Sequence, residues 1–317
     1  MSRLSMTACS FQLRKKNKRK VEAICGLNDK IDYGEQGIKD FLDIFKEFWK
    51  DNSEYQIDDC DEKIFRCDDK FVIVEQNEYR YFFGKIYSGS YGIESEITDT
   101  LTGKIVYKKK KEDADIKPFY VFVCVFKDTK NTHVEKGIMF LQNIGPYGIK
   151  TKLTSSIKEY ISRKYNSIFI CGNISPEIYL RKIIDNKKIK KMTVVRNVPS
   201  SDKIDSLDLA YGKEERTYTK LIWKESVLKK IANMIIKKEH MIEIDDIEYS
   251  DIKFTIECGQ NRIKVVRLNN IEHLSIVEDL PQEIQNSNGH PNKQKLLQHF
   301  FDSIETYKEK MILQITK

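Results

Sequence analysis

Apolar residues keep one spacing near the start of this chain and another over the long stretch that follows. Ile38, Phe41, Leu42, Phe45, Phe48 and Trp49 recur at three and four residues, and that spacing gathers them on one stripe of a helix. Asp40, Lys46, Glu47 and Lys50 fall on its other faces. From about residue 54 to 145 the period drops to two, which predicts strands over 63–66, 71–75, 79–87, 92–97, 104–109, 119–126 and 137–143. Turn signals separate them: Gln76-Asn77, Ser88-Gly89-Ser90 and Thr100-Leu101-Thr102-Gly103. In the last, Gly103 stands where a hairpin loop needs a left-handed residue. Short strands on short turns predict an antiparallel β-barrel or sandwich with one helix packed on it.

The rhythm breaks at Asn143-Ile144-Gly145-Pro146-Tyr147-Gly148. Beyond it Leu153, Ile157, Ile161 and Tyr165 step by four on a new helix, and the expected division is a β-rich domain over 1–147 and a mixed α/β domain over 148–317. The second half opens with an apolar strand over 167–171. Ser175, Pro176 and Glu177 then supply an N-cap, a proline at the first helical position and an acid in the first turn. With 191–196 as the next strand, this reads as a strand–helix–strand unit with its two strands parallel. A polar stretch over 199–217 reads as a surface excursion. A helix carrying Leu221, Val227, Leu228, Ile231, Met234 and Ile235 follows, then strands over 241–244 and 252–257. The latter turns through Gly259-Gln260-Asn261 into a hairpin with 263–268. A terminal helix starting near Pro291 buries Leu296, Leu297, Phe300, Ile304, Tyr307 and Met311. The class is α+β.

Composition agrees with a folded, well-charged protein: 317 residues, 40% hydrophobic and 32% charged, more chain than one core usually serves. The apolar run from Tyr120 to Phe126 is far short of the roughly 20 residues that span a bilayer, and the N-terminus has no leader pattern. The expectation is a cytoplasmic protein with no membrane partner. Cys9, Cys25, Cys60, Cys67, Cys124, Cys171 and Cys258 are odd in number, scattered and without a CxxC pair, as reduced thiols would be. The net charge of +7 comes from 55 basic against 48 acidic residues, a balance that permits nucleic-acid binding without demanding it. Basic residues cluster at Arg14 to Lys20, Lys108 to Lys111 and Lys187 to Lys191.

Chemistry leaves few marks. His133, His240, His273, His290 and His299 form no pair at ligand spacing, so no metal site is predicted, and no phosphate loop or dinucleotide fingerprint implies a cofactor. Divalent-metal nucleases need an acid, then Glu-x-Lys on a strand, so that carboxylates hold the ion and Lys steadies the attacking water. Asp69 with Glu75-Gln76-Asn77 and Asp251 with Glu257-Cys258-Gly259 have the acids and lack the Lys. Arg267 and His273 have the spacing of the pair in the helical HEPN ribonucleases, but Arg267 ends a predicted strand. No catalytic residue emerges.

What remains is aromatic and basic. Tyr79, Tyr81, Phe83, Lys85 and Tyr87 share one face of a predicted strand. Tyr91 follows in the next loop, and Lys108, Lys109, Lys110 and Lys111 end another strand. Aromatic rings stack on bases and lysines neutralise phosphates, so Tyr79, Tyr81, Lys85, Tyr91 and Lys108 to Lys111 are the candidate nucleic-acid-binding set. The competing reading puts the aromatic face in the core and leaves the lysines to solubilise a strand end, offset by Glu112, Asp113 and Asp115.

Pro118-Phe119-Tyr120-Val121-Phe122, Gly137-Ile138-Met139-Phe140-Leu141-Gln142, Gly148-Ile149-Lys150 and Gly289-His290-Pro291 together resemble, in general character, uncharacterised bacterial proteins of prophage and phage-defence loci. The resemblance implies a biological setting and no site residue. The expected function is a non-catalytic recognition protein for nucleic acid or a protein partner, in an anti-phage or mobile-element system. The alternative is a metal-dependent nuclease with dispersed carboxylates such as Glu75 and Glu257.

Overall fold

The computed structural model describes residues 4–16, 31–32, 34–127, 132–134, 136–174, 189–199, 211–219, 242–244, 247–249, 251–257, 263–267, 277–308 and 312–314. The chain is mixed α+β and divides into two compact units, 1–172 with 280–317, and 173–279. The division falls after the helix and strand that follow the break at 143–148, where the sequence placed it at 147.

A nine-stranded sheet dominates the first unit. Its path runs Ser167–Asn173, Leu4–Lys15, Gly137–Ile144, Asp115–Phe126, Tyr79–Ser90, Lys63–Cys67, Gln56–Asp58. Val277–Asp279 pairs with Leu4–Lys15, and Val72–Glu75 pairs with Tyr79–Ser90. Where barrel and sandwich stood open, the path is that of an open sheet. The registers given from Leu4–Lys15 across to Gln56–Asp58 are all antiparallel. The seven strands expected between 63 and 143 are all present, the longest extended at one end: Tyr79–Ser90 runs past Tyr87, and Asp115–Phe126 starts ahead of Phe119.

Helices cover both faces of this sheet. Helix α1, Phe41–Asp51, is capped by Asp40, whose carboxylate accepts from the Asp43 amide at 2.8 Å while Asp43 accepts from the Asp40 amide at 3.2 Å, two otherwise orphaned donors satisfied reciprocally. Ile38, expected on the buried stripe, lies ahead of the cap and is exposed. Phe41 meets Phe11 and Phe169 at 4.2 and 5.7 Å between ring centroids, and Phe45 and Trp49 meet Phe82 at 4.9 and 4.6 Å. Helix α2, Lys150–Lys164, adds Tyr160 edge-on to Phe48 at 5.4 Å. Successive strand residues point to opposite faces. So Tyr81 and Phe83, the neighbours of Phe82, face the other way, towards helix α3, Lys293–Lys308. There Phe300 and Phe301 pack on Phe83, Phe122, Phe140 and Tyr81 at 5.0–6.3 Å. Leu296, Phe300, Ile304 and Tyr307 are buried, as the terminal stripe predicts, and Leu297 is half-buried.

Gly84 marks where Trp49 meets the sheet. A Cβ there would lie 2.6 Å from Trp49 Cζ2, and the indole donates to the Asp68 carbonyl at 2.7 Å. On the edge of Tyr79–Ser90 away from Asp115–Phe126, Val72–Glu75 pairs with residues 80–83 and Lys63–Cys67 with 86–90, so this glycine falls between two partner strands.

In the second unit Tyr211–Thr219, Ile189–Pro199, Asp251–Glu257 and Ile263–Arg267 form a four-stranded antiparallel sheet in that order. Ile252, Phe254 and Ile256 alternate into its buried face with Val194. Two expectations change here. Ser167–Asn173 and Ile189–Pro199 belong to different sheets, so they are not a parallel pair; an antiparallel partner downstream supplies the hydrogen bonds a parallel neighbour would have given. The excursion at 199–217 contains the strand Tyr211–Thr219, whose polar residues face one another across the sheet: Arg196 and Arg216 both bond Glu214, at 2.6–2.8 Å, and Lys253 bonds Glu215 at 2.6 Å. The helices expected over 175–184 and 221–235, the turn at 259–261, His240 and His273 lie outside the described residues.

Candidate functional site

The candidate residues separate along Tyr79–Ser90. Tyr81 is 6% exposed, stacked on Phe122 at 5.4 Å and edge-on to Phe301 at 5.0 Å, so it belongs to the core beneath α3. Tyr79, half-buried, leans on Tyr81 and Phe126 at 6.3 Å. Burial pushes both phenols above their ordinary pKa. The Tyr81 ring, stacked and buried, has no face left for a base.

Further along the same strand and face, an alternating row of cations and rings stands at the surface. Tyr120 stacks on Phe83 at 5.3 Å with planes 9° apart. The Lys85 ammonium lies 5.7 Å from the Tyr120 ring centre and 5.3 Å from that of Tyr87. The Arg66 guanidinium sits 4.3 Å over Tyr87 and 5.2 Å from Tyr55. Register makes the row: Lys85 is opposite Tyr120, and Arg66 opposite Tyr87. Tyr55 is 45% exposed and the other members are half-buried. Asp68 anchors it from below, accepting from the Tyr87 hydroxyl at 3.3 Å with Lys85 Nζ at 3.7 Å. Burial would raise the Asp68 carboxyl, but the Lys70 amide and its other partners outweigh that and hold it below its ordinary value. Burial likewise works against the Lys85 ammonium, and the Tyr87 hydroxyl and surrounding oxygens keep its pKa raised. At neutral pH the row is cationic.

Around Ser88–Ser90, on the α2 side of the sheet, lies a cleft of about 230 Å³ lined by Lys63, Lys117, Tyr147, Thr151 and Lys152 among others. Lys117 and Lys152 hydrogen-bond Asp115 and Asp58. Lys117 also sits 4.6 Å over the half-exposed Tyr147 ring.

The remaining candidates belong to a hairpin, Ser95–Thr98 with Ile105–Lys109, and its base. The Tyr91 hydroxyl donates to Asp59 at 2.7 Å, and that bond pushes its pKa up to about 12. Lys108 pairs with Glu96 at 3.4 Å, and Lys109 Nζ reaches the Ser90 carbonyl at 3.5 Å. The Lys110 amide donates to Asp113, and the Lys111 carbonyl accepts from Gly92. Lys108–Lys111 and Tyr91 thus stand beside the cleft, at the end of the strand that carries Lys85, and Tyr79 and Tyr81 do not join them. Ile97, Leu101 and Val106 on the hairpin are strongly exposed, Leu101 at 95%.

Arg66, Tyr55, Tyr120 and the cleft lysines went unread in the sequence. No alternation in their own strands marks Arg66 or Tyr120, and only the register brings them beside Tyr87 and Lys85. Among the described residues no group of three or more His, Cys, Asp or Glu is placed to hold a metal ion. Glu75 pairs with Lys127 at 3.2 Å, and no helix among them is long and apolar enough to cross a membrane. No protein family matches the sequence, and no curated protein does.

Proposed function

We propose that this protein is a non-catalytic recognition protein that holds single-stranded nucleic acid at the end of its large sheet. The observation that supports this is the row Tyr55, Arg66, Tyr87, Lys85, Tyr120, where rings able to stack on bases alternate with cations able to meet phosphates. Lys109 and Lys63 stand at the same sheet end, where Lys117 and Lys152 are paired with Asp115 and Asp58. Fluorescence anisotropy with labelled single-stranded RNA and DNA tests it. Binding should weaken steeply with salt. Tyr87→Ala or Arg66→Ala should each cost about 1–3 kcal/mol, roughly 5- to 150-fold in affinity. Neutralising Lys108–Lys111 should flatten the salt slope. Affinity untouched by all of these substitutions would sink the reading, and cleavage of the probes in Mg²⁺ or Mn²⁺ would favour the nuclease instead.

A second reading, a protein partner, draws on the hairpin with its exposed Ile97, Leu101 and Val106, since isolated two-stranded arms with apolar tips are rarely left bare. Light scattering coupled to size-exclusion chromatography tests it, and a strict monomer with no co-purifying chain counts against it. The setting attached to both readings, a bacterial cytoplasm and an anti-phage or mobile-element system, draws on the sequence resemblance and is tested by the neighbouring genes.

A further inference from the structure

Leu4–Lys15 and Ser167–Asn173 lie side by side in the large sheet, and their contacts step in opposite directions along the two segments. The Lys16 amide donates to the Asn166 carbonyl at 3.3 Å. Phe11 stacks on Phe169 at 5.9 Å. The same stepping sets Cys9 across from Cys171 on the neighbouring strand. Residues opposed in this way have Cα atoms about 4.5–5.5 Å apart, within the roughly 4.4–6.8 Å that a disulfide bridges. The two thiols differ in access: Cys9 is fully buried, while Cys171 is only partly buried. They also differ in charge environment. The hydrogen bond from Cys9 holds the Cys171 thiol below its ordinary pKa, helped by Lys150 and Lys158 of α2, while the same bond and burial push Cys9 up. A partly exposed sulfur near positive charge, backed by a second thiol on the neighbouring strand, is the arrangement of an attacking cysteine with its resolving partner.

We propose that Cys171 is a thiolation site for small disulfides, and that Cys9 resolves the adduct into a disulfide between the two strands. The Cys171 thiolate attacks one sulfur of a glutathione-type disulfide, forming a mixed disulfide and expelling one thiolate. Cys9 gives its proton to solvent or to that thiolate and attacks the Cys171 sulfur. The protein disulfide forms, the second small thiolate leaves, and two protein thiols have been oxidised as one small disulfide is reduced to two thiols.

The test is incubation of the full chain with oxidised glutathione, quenching with an alkylating agent, and peptide mass mapping. In wild type a Cys9–Cys171 cross-linked peptide should accumulate without a lasting adduct. Cys9→Ser should retain glutathione on Cys171, and in Cys171→Ser the Cys9 thiol should stay unmodified. Exposed Cys60 is the internal standard, and Cys171 should react at least about tenfold faster than it. A Cys171 rate no greater than that of Cys60, or a mixed disulfide that persists in wild type, overturns the proposal. If either variant misfolds by circular dichroism, the wild-type cross-link and rate ratio decide alone.

Discussion

Gly84 shows how much one absent side chain decides. With the Trp49 ring over it and the indole committed to the Asp68 carbonyl, a methyl group has nowhere to go. Gly84→Ala is expected to destabilise the first unit by about 1–3 kcal/mol, the usual cost of overpacking, read as a lower midpoint in urea with unchanged slope. An unchanged midpoint would mean that α1 shifts freely on the sheet. Glu47 makes a different kind of contribution. Burial would raise its carboxyl, but hydrogen bonds from Lys39, Tyr165 and Lys164 outweigh that and hold it below its ordinary value. A depressed carboxyl adds stability above its unfolded pKa and loses it as pH falls through the folded one. Glu47→Gln should therefore cost on the order of 1 kcal/mol at pH 7, a few degrees in melting temperature. The gap to wild type should close below about pH 4. A gap independent of pH would show that charge is not what Glu47 contributes.

Among elements, α3 joins sequence-distant pieces. Phe300 touches Phe83, Phe122 and Phe140, one ring on each of three adjacent strands. Phe300→Ala should cost about 3–5 kcal/mol and loosen Tyr81 and Phe122 together, visible as lost near-ultraviolet ellipticity; a well-behaved variant within 1 kcal/mol of wild type would deny α3 that role. The same helix explains what the sequence could and could not say. The period of α1 and the alternation of the strands are local, so they were legible from single segments. Which face of Tyr79–Ser90 is covered depends on a helix more than two hundred positions later, and no local pattern carries that. Leu4–Lys15 is the opposite case: Cys9, Phe11 and Leu13 alternate with Ser10, Gln12 and Arg14, a strand signal overshadowed by the basic run that follows. The parallel pairing assigned to 167–171 and 191–196 came from a motif common in other folds, and the antiparallel hydrogen bonds at 251–257 outcompete it.

For the molecule as a whole, the path of the chain matters more than any contact. It leaves the large sheet after Ser167–Asn173, a neighbour of Leu4–Lys15, and is back beside that same strand with Val277–Asp279, after which the Leu280 amide donates to the Leu4 carbonyl at 3.0 Å. The cost of closing a loop grows only slowly with its length, so a host sheet with exit and re-entry on one strand tolerates a guest of almost any size. Excising residues 175–276 and joining the ends with a short Gly-Ser bridge should leave a host that melts cooperatively and retains whatever the Arg66–Tyr87 row binds. A collapsed or aggregated product would mean that the guest is a structural necessity. Success would mean that the two units can be exchanged, tagged or evolved separately, with the sheet serving as a socket into which other modules could be set.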